Sequence, residues 1–529
     1  MRHYRNMRMK VAMSRVLFYV TASVVPFMPR SSAGQFSTPQ KPYVQQSLPE
    51  YGTSFRVYSH LVVVDIVVLD KGGQPVNNLD RSQFEITENG VIQKIAAFDP
   101  PSAHQMPVGK TDHLLVQSSE DLDKIGDAPV DILVLDELNN SFGDAAYGRE
   151  QMIGFLKKQP NVLPIATQLI SVGESNFKVL HDYTQSREQL LKCAEAHFPR
   201  IPVKQLDSTN LLVETLGVLS QIAESTRGTR GRKNILWIGT GYPAVNVMNL
   251  SNSAEEPLEE AIHRVTRRML DARVSLTLID PQGVVASPKG GENQGSIDDN
   301  IEGISNVTGP YTGPIDFATF ATATGGEILA GRNDVDLEIG RGVDRSRVYY
   351  TAAYIPTSPD SSTAPYRKIR VRLRDRSLRV LARDGYFLGE ETPDPPPTPA
   401  QPLPAQLKFD MLSAAKTRLP YNGIGVHASR TAGGFTLSVP RNQLTWTYPA
   451  ANSRYAELTV IAAIFNAPGK LLSSIEMEIK RTAQTSIDPK LPSQMSLEFP
   501  LSLPPSTARV RFVVRDTGSG AMGTADWQP

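Results

Sequence analysis

One stretch of the chain, "DILVLDELNNSFGD", runs an apolar segment into a carboxylate and then into small polar residues. A buried strand that delivers Asp136 to a loop carrying Asn140 and Ser141 gathers carboxylate, amide and hydroxyl oxygens, the ligand types a hard cation takes. Such a loop is a metal site or the remnant of one. A second grouping is "YRKIRVRLRDR", in which Lys368, Arg370, Arg372, Arg374 and Arg376 alternate with Ile369, Val371 and Leu373. Alternate side chains of a strand share a face, so this pattern makes one wholly basic face. It suits an anionic polymer or an acidic partner, a solvated surface paired with neighbouring acids, or a charged edge that blunts a sheet.

Other chemical signatures fail on context. Gly239 to Ala244, "GTGYPA", has dinucleotide-fingerprint spacing, but Pro243 leads into "VNVMN", which opens no helix, and the strand before it is the fourth of its sheet. "VGKT", Val108 to Thr111, lacks the upstream glycine of a P-loop, because His104 stands there. His-Glu-x-x-His, Cys-x-x-Cys and Gly-x-Ser-x-Gly do not occur. The single cysteine, Cys193, makes no internal disulfide and falls with Leu190 and Ala194 on the apolar side of a helical pattern, as a small buried hydrophobe.

The elements that position these residues follow from length and periodicity. A chain of 529 residues is long enough for about three domains. Its 55 Lys+Arg against 54 Asp+Glu give no reason to expect nucleic acid as a partner. Residues 1–33 read as a signal peptide: a basic start, an apolar run from Val16 to Met28, and Ser31-Ser32-Ala33 as a cleavage site. That run is shorter than the roughly 20 apolar residues a bilayer span needs, and no later stretch is apolar enough to be a membrane helix. The mature chain is therefore expected outside the inner membrane, secreted or periplasmic, without a transmembrane segment.

Residues 34–50 form a polar linker, and 51–100 a small Ig-like β module with an Asn89-Gly90 hairpin. From 129 to 388, short apolar strands alternate with amphipathic stretches, the pattern of an α/β, doubly wound, mostly parallel sheet. Its ligands would bind beyond the strand C-termini. Ala286 to Pro314 is a long Gly/Asn/Ser-rich loop at that edge, partner-facing or a plain insertion. A Pro-rich linker, 389–405, precedes a region, 406–529, without helical periodicity, read as a C-terminal β-sandwich. The expected fold is thus multidomain, an α/β sheet flanked by two β-sandwich domains.

Taken in order, "VVLDKGGQPVNNLDRSQFEITENG", "DILVLDELN", "GRKNILWIGTGYP", "TLIDPQG", "TATGGEIL", "NDVDLEIGRGVDRSRVYYTAAYIP" and "RDGYF" resemble the acidobacterial VWFA-related group of secreted proteins, which carry a von Willebrand factor type A domain. The resemblance covers about residues 55–388. It implies binding or adhesion at the cell envelope with no reaction attached; the competing class is an envelope hydrolase or an inactive relative of one. It also implies where Mg²⁺ would sit: Asp-x-Ser-x-Ser after the first strand, a Thr from a second loop, and an Asp after the fourth strand. Here Asp136 matches, Leu138 replaces the first Ser, Asn140 the second, Thr209 suits the Thr position, and Thr240 stands where the Asp would be. Asp136, Asn140 and Thr209 thus form a degenerate metal set, from which weak Mg²⁺ binding at most is expected and no other cofactor. Asp136 is expected instead to accept hydrogen bonds from Ser141 and Thr209. The surfaces expected to meet a protein or an anionic envelope polymer are Asp136, Asn140, Ser141, Thr209 and Thr240 on one side, and Lys368, Arg370, Arg372 and Arg374 on the other.

Overall fold

An apolar run with no polar alternation must be covered on both faces, and Val130–Asp136 (β5) meets that demand at the middle of a six-stranded sheet, with every residue buried. The computed structural model describes residues 61–107, 114–173, 176–200, 206–246, 252–283, 314–357, 366–387, 405–450, 453–484 and 493–529. The expected signal peptide and linker, most of the Ala286–Pro314 loop and nearly all of the Pro-rich linker lie outside them.

The large sheet runs Ile328–Leu329 (β12), Val274–Ile279 (β10), Lys233–Ile238 (β8), β5, Val162–Gly173 (β6) and Asn176–Ser186 (β7). Its first five strands are parallel, and β7 is antiparallel to β6. Two residues separate β6 from β7, a connection that permits only a hairpin. Period-2 alternation splits β5 between two cores. Leu133 and Leu135 face Phe142–Lys158 (α1), Arg187–Ala196 (α2) and Val335–Ser346 (α6). Ile132 and Val134 face Ser208–Ser225 (α3), Asn252–Asp271 (α4) and Phe317–Ala323 (α5).

The expected fold class is corrected. Strands predominate, spread over several small antiparallel sheets, and the one large sheet is mixed. Val62–Leu69 (β1) does not belong to a self-contained N-terminal sandwich. It lies between Tyr350–Tyr354 (β13) and Arg379–Leu381 (β15), in register Val62↔Tyr354 and Val67↔Leu381. Phe84–Glu88 (β2) forms the Asn89-Gly90 hairpin with Val91–Gln93 (β3), both turn residues at positive φ, and on its other side pairs with Tyr366–Leu373 (β14). Ile95–Asp99 (β4) closes on β13, and Gly385–Phe387 (β16) on β14. Val64, Ile66, Phe84 and Ile86 share one core with Tyr350, Tyr354, Ile369 and Tyr386. Residues from both ends of the first 390 therefore build these two sheets together. Alternation identifies a strand and carries no information about its partner, which is why this pairing was not foreseen.

A second correction falls at 406. Ala405–Lys416 (α7) is a helix, although no helical period is visible there. Met411, Ala414 and Ala415, at i, i+3 and i+4, are buried together with Ile461 and Val513, and two of the three are alanines, which mark an apolar face only weakly. The fully buried Arg511 caps it: Nε donates to the Ala414 carbonyl at 3.1 Å, while Nη1 reaches Asp526 Oδ2 at 2.6 Å. The remaining strands form His427–Thr431 (β17), Gly434–Pro440 (β18) and Gln494–Pro500 (β22) in one sheet. Thr447–Ala450 (β19), Ser453–Phe465 (β20), Arg509–Asp516 (β23) and Met522–Trp527 (β24), with Leu471–Gln484 (β21) on β20, form the other. Phe435, Phe499 and Phe512 pack between the two.

Candidate functional site

Asp136 ends β5 fully buried, and its carboxylate is taken up by N–H donors. Oδ1 accepts from the amides of Leu138 (3.0 Å) and Asn139 (2.9 Å), and the Asn139 side-chain amide lies 3.2 and 3.1 Å from the two oxygens. Oδ2 also accepts from Trp237 Nε1 at 2.9 Å. Burial raises the pKa of this carboxyl, and the bonds from Asn139, Trp237 and Leu138 pull it back. Gly239 closes the cradle: a Cβ there would stand 2.5 Å from Asp136 Cβ and 3.0 Å from Oδ2.

The other residues of the expected metal set take separate roles. Asn140 directs its amide nitrogen to the Asp136 carbonyl at 2.8 Å, and its Oδ1 receives Thr240 N (2.9 Å) and Oγ1 (3.0 Å). Thr240 is thus tied to the Asp136 loop through Asn140. Ser141 caps α1, accepting from Asp144 N at 3.1 Å, and does not bond Asp136. Thr209 lies in the first turn of α3, behind the Asp207 cap, and makes no bond to Asp136 among the described residues. α3 reaches the loop through Thr215, which accepts from Asn139 Nδ2 at 3.2 Å. This donor set does not fit a hard cation: N–H groups point where a metal would need vacant oxygens, and Leu138 and Trp237 supply none. Among the described residues no three acidic, His or Cys side chains gather at a possible metal position.

Sequence reasoning missed Glu137, which sits beside this loop and is buried. Its Oε1 accepts from Ser171 Oγ at 2.5 Å and pairs with His197 Nε2, while Oε2 accepts from the Arg200 amide at 3.1 Å. Burial pushes its pKa up, but the bonds from His197, Ser171 and Arg200 prevail and hold it below the usual range. The order of groups decides the chemistry. The carboxylate stands between hydroxyl and imidazole, so His197 cannot take the Ser171 proton as a triad base would. A polar residue directly after a strand-terminal Asp was the only signal in the sequence.

The basic residues divide in two. β14 pairs with β16 along Tyr366–Lys368 and with β2 along Ile369–Leu373, so the stretch that carries Arg370 and Arg372 has a partner strand on one side. Lys368 and Arg370 lie within electrostatic reach of Asp384. The strand stops at Leu373, so the basic alternation does not continue to Arg374 and Arg376, which follow in a turn. Arg372, Arg374 and Arg376 join Arg81 around a groove of about 600 Å³ that also exposes Glu85 and Ile92. All three are exposed, and none forms an ion pair among the described residues although Arg372 sits opposite Glu85 in register. Ile92, 65% exposed, lies on the terminal strand of this sheet.

No protein-family model matches the chain, and no curated protein matches it. Among solved structures it is similar to the pilus adhesin SpaC from Lactobacillus rhamnosus GG at 11% identity and a TM-score of 0.25, covering 73% of this chain and 53% of that one. The chain spans about half the length of that structure, and a TM-score at this level establishes no shared fold. No described helix is long and apolar enough to cross a membrane.

Proposed function

We propose that this chain is a non-enzymatic binding protein of the cell envelope, and that it holds an acidic protein segment in the groove lined by Arg81, Arg372, Arg374 and Arg376. The observation that carries this reading is the set of three exposed arginines on the wall of one groove that form no ion pair among the described residues. Exposed guanidiniums on a concave surface attract carboxylates and bind them in bidentate fashion. The exposed Ile92 beside them favours a peptide, which brings apolar side chains, over a polysaccharide. An extracytoplasmic location is supported by the basic-then-apolar N-terminus and by the resemblance to secreted VWFA-related proteins. A Ser–His triad at Ser171 is disfavoured by the Glu137 arrangement, in which the hydroxyl donates to the carboxylate and not to His197.

The test is binding of the mature chain to an acidic peptide, poly-glutamate, at low salt. The triple variant Arg372→Gln, Arg374→Gln, Arg376→Gln is expected to lose it. Retained binding by the triple variant would overturn the assignment, and preference for an acidic polysaccharide over poly-glutamate would replace the peptide with a polymer.

A further inference from the structure

A different cavity, independent of that groove, lies where α3 and α4 meet the turn between β23 and β24, and its walls are almost entirely charged. Its volume is about 310 Å³. Three of its arginines come from one helix: in "RVTRRML", Arg264, Arg267 and Arg268 stand at i, i+3 and i+4, a spacing that places like charges on one face and destabilises the bare helix. Arg227 follows α3, and Arg515 lies on β23. The two converge at Gly520, where a Cβ would stand 3.2 Å from a guanidinium nitrogen of Arg515 and 4.0 Å from one of Arg227.

Five arginines and three carboxylates, Glu224, Asp271 and Asp410, line it. Arg268 is committed to Asp410 at 2.7 Å and to Ser220 Oγ at 2.5 Å. Arg264 pairs with Glu260 at 3.5 Å, and Arg227 stands 3.8 Å from Glu224 Oε1, beyond hydrogen-bond reach. Arg267 makes no ion pair among the described residues. Glu224 is 7% exposed, and its Oε1, on the cavity wall, has no hydrogen-bond partner. Burial raises its pKa, against the opposing pull of Arg227, Arg268 and Arg515 nearby.

We infer that this cavity is a binding site for a small ligand bearing a phosphate group, held between Arg227, Arg267 and Arg515. Guanidinium forks match tetrahedral oxyanions. The cavity holds a phosphate with a small substituent and excludes a polymer. A bound phosphate ties the β23–β24 turn to α3 and α4, so it stabilises the folded chain through its own affinity.

The experiment uses the full chain and inorganic phosphate, titrated against chloride at matched ionic strength, with calorimetry and the thermal unfolding midpoint as readouts. The parent is expected to bind phosphate and to melt higher in it than in chloride. Arg227→Gln with Arg267→Gln, both at accessible positions, is expected to weaken binding at least about tenfold through loss of charge-assisted contacts. Arg374→Gln with Arg376→Gln in the other groove is expected to keep it. Absence of any phosphate-specific effect in the parent overturns the proposal, as does undiminished binding in the first double variant or its loss in the second. Glu224→Gln keeps the side-chain shape and removes a competing charge, so it binds phosphate no more weakly than the parent; weaker binding would count against the site.

Discussion

Trp237 Nε1 donates to Asp136 Oδ2 at 2.9 Å from the adjacent parallel strand, and both side chains are fully buried. A tryptophan on β8 thus does for this carboxylate what an ion would do in a metal loop. Trp237→Phe keeps an aromatic side chain and removes the donor, leaving Oδ2 to Asn139 alone and adding a cavity where the larger indole stood. The expected loss is at least about 1.5–3 kcal/mol, the usual cost of a hydrogen bond to a charged group, read from the denaturant midpoint. In the parent, millimolar Mg²⁺, Mn²⁺ or Ca²⁺ should leave that midpoint unmoved. A metal-dependent rise abolished by Asp136→Ala would sink this account of the loop.

Asp131 lies at the opposite end of β5, buried, with Asn234 Nδ2 and Ser346 Oγ each 3.1 Å from Oδ1 and no donor on Oδ2. Burial pushes its pKa up to about 7, against the opposing pull of those two bonds. The folded state therefore binds more protons than the unfolded state between about pH 4 and 7, and the stability this proton contributes at low pH is lost as pH rises through 7. Measured against Asp131→Asn, the parent is expected to lose on the order of 1–3 kcal/mol between pH 4 and 8. Parallel pH profiles for the two proteins would show that Asp131 titrates normally.

Lys233 on the neighbouring strand runs the other way. Its buried Nζ donates to the Gly231 carbonyl at 2.9 Å, and burial depresses its pKa to about 7, with Arg273 adding to the effect. Here the unfolded state binds the extra proton between about pH 7 and 10, so stability rises with pH across that window. Lys233→Met should remove the rise and leave the acid limb unchanged; a variant that keeps the alkaline rise assigns it to another group.

Gly241 sits at φ 66° beside the Phe317 ring, where a Cβ would lie 2.1 Å from a ring carbon. Positive φ and overpacking act together, so Gly241→Ala is expected to destabilise by about 2 kcal/mol or more. A midpoint within error of the parent would mean that the β8 turn relaxes freely and does not hold Thr240 against Asn140.

Salt separates the two arginine sites. Arg372, Arg374 and Arg376 are solvent-exposed, and charges in water are screened beyond about 8 Å at physiological ionic strength. Poly-glutamate binding at the groove should therefore fall steeply as salt is raised, whereas phosphate binding beside the buried Glu224 should fall less. Equal salt dependence would place both anions on the same exposed surface.

Local signals in the sequence reached far into the region of the six-stranded mixed sheet. The runs around Ile132, Ile235 and Val274 are strands, and the helices over 142–158 and 208–225 begin at Ser and Asp caps. What was not legible is pairing and capture. Val62 pairs with Tyr354, Trp237 reaches Asp136, and Arg227 meets Arg515 at Gly520, each between residues about a hundred or more positions apart. α7 escaped for a different reason: its buried face is short and built largely of alanine, at Ala414 and Ala415 beside Met411, which leaves a weak amphipathic trace.

The Tyr386 hydroxyl donates to Glu88 Oε2 at 3.0 Å across 298 residues of chain, and β1 waits as long for its flanking partners β13 and β15. At ribosomal rates of about 5–20 residues per second, the valine-rich β1 spends on the order of 15–60 s with both edges open before those partners exist. High contact order makes this part of the chain slow to fold and, until it folds, prone to edge-to-edge association. The same delay keeps a nascent chain from locking: these N-terminal strands cannot close until residues near 387 have been made, about three quarters of the way along the chain.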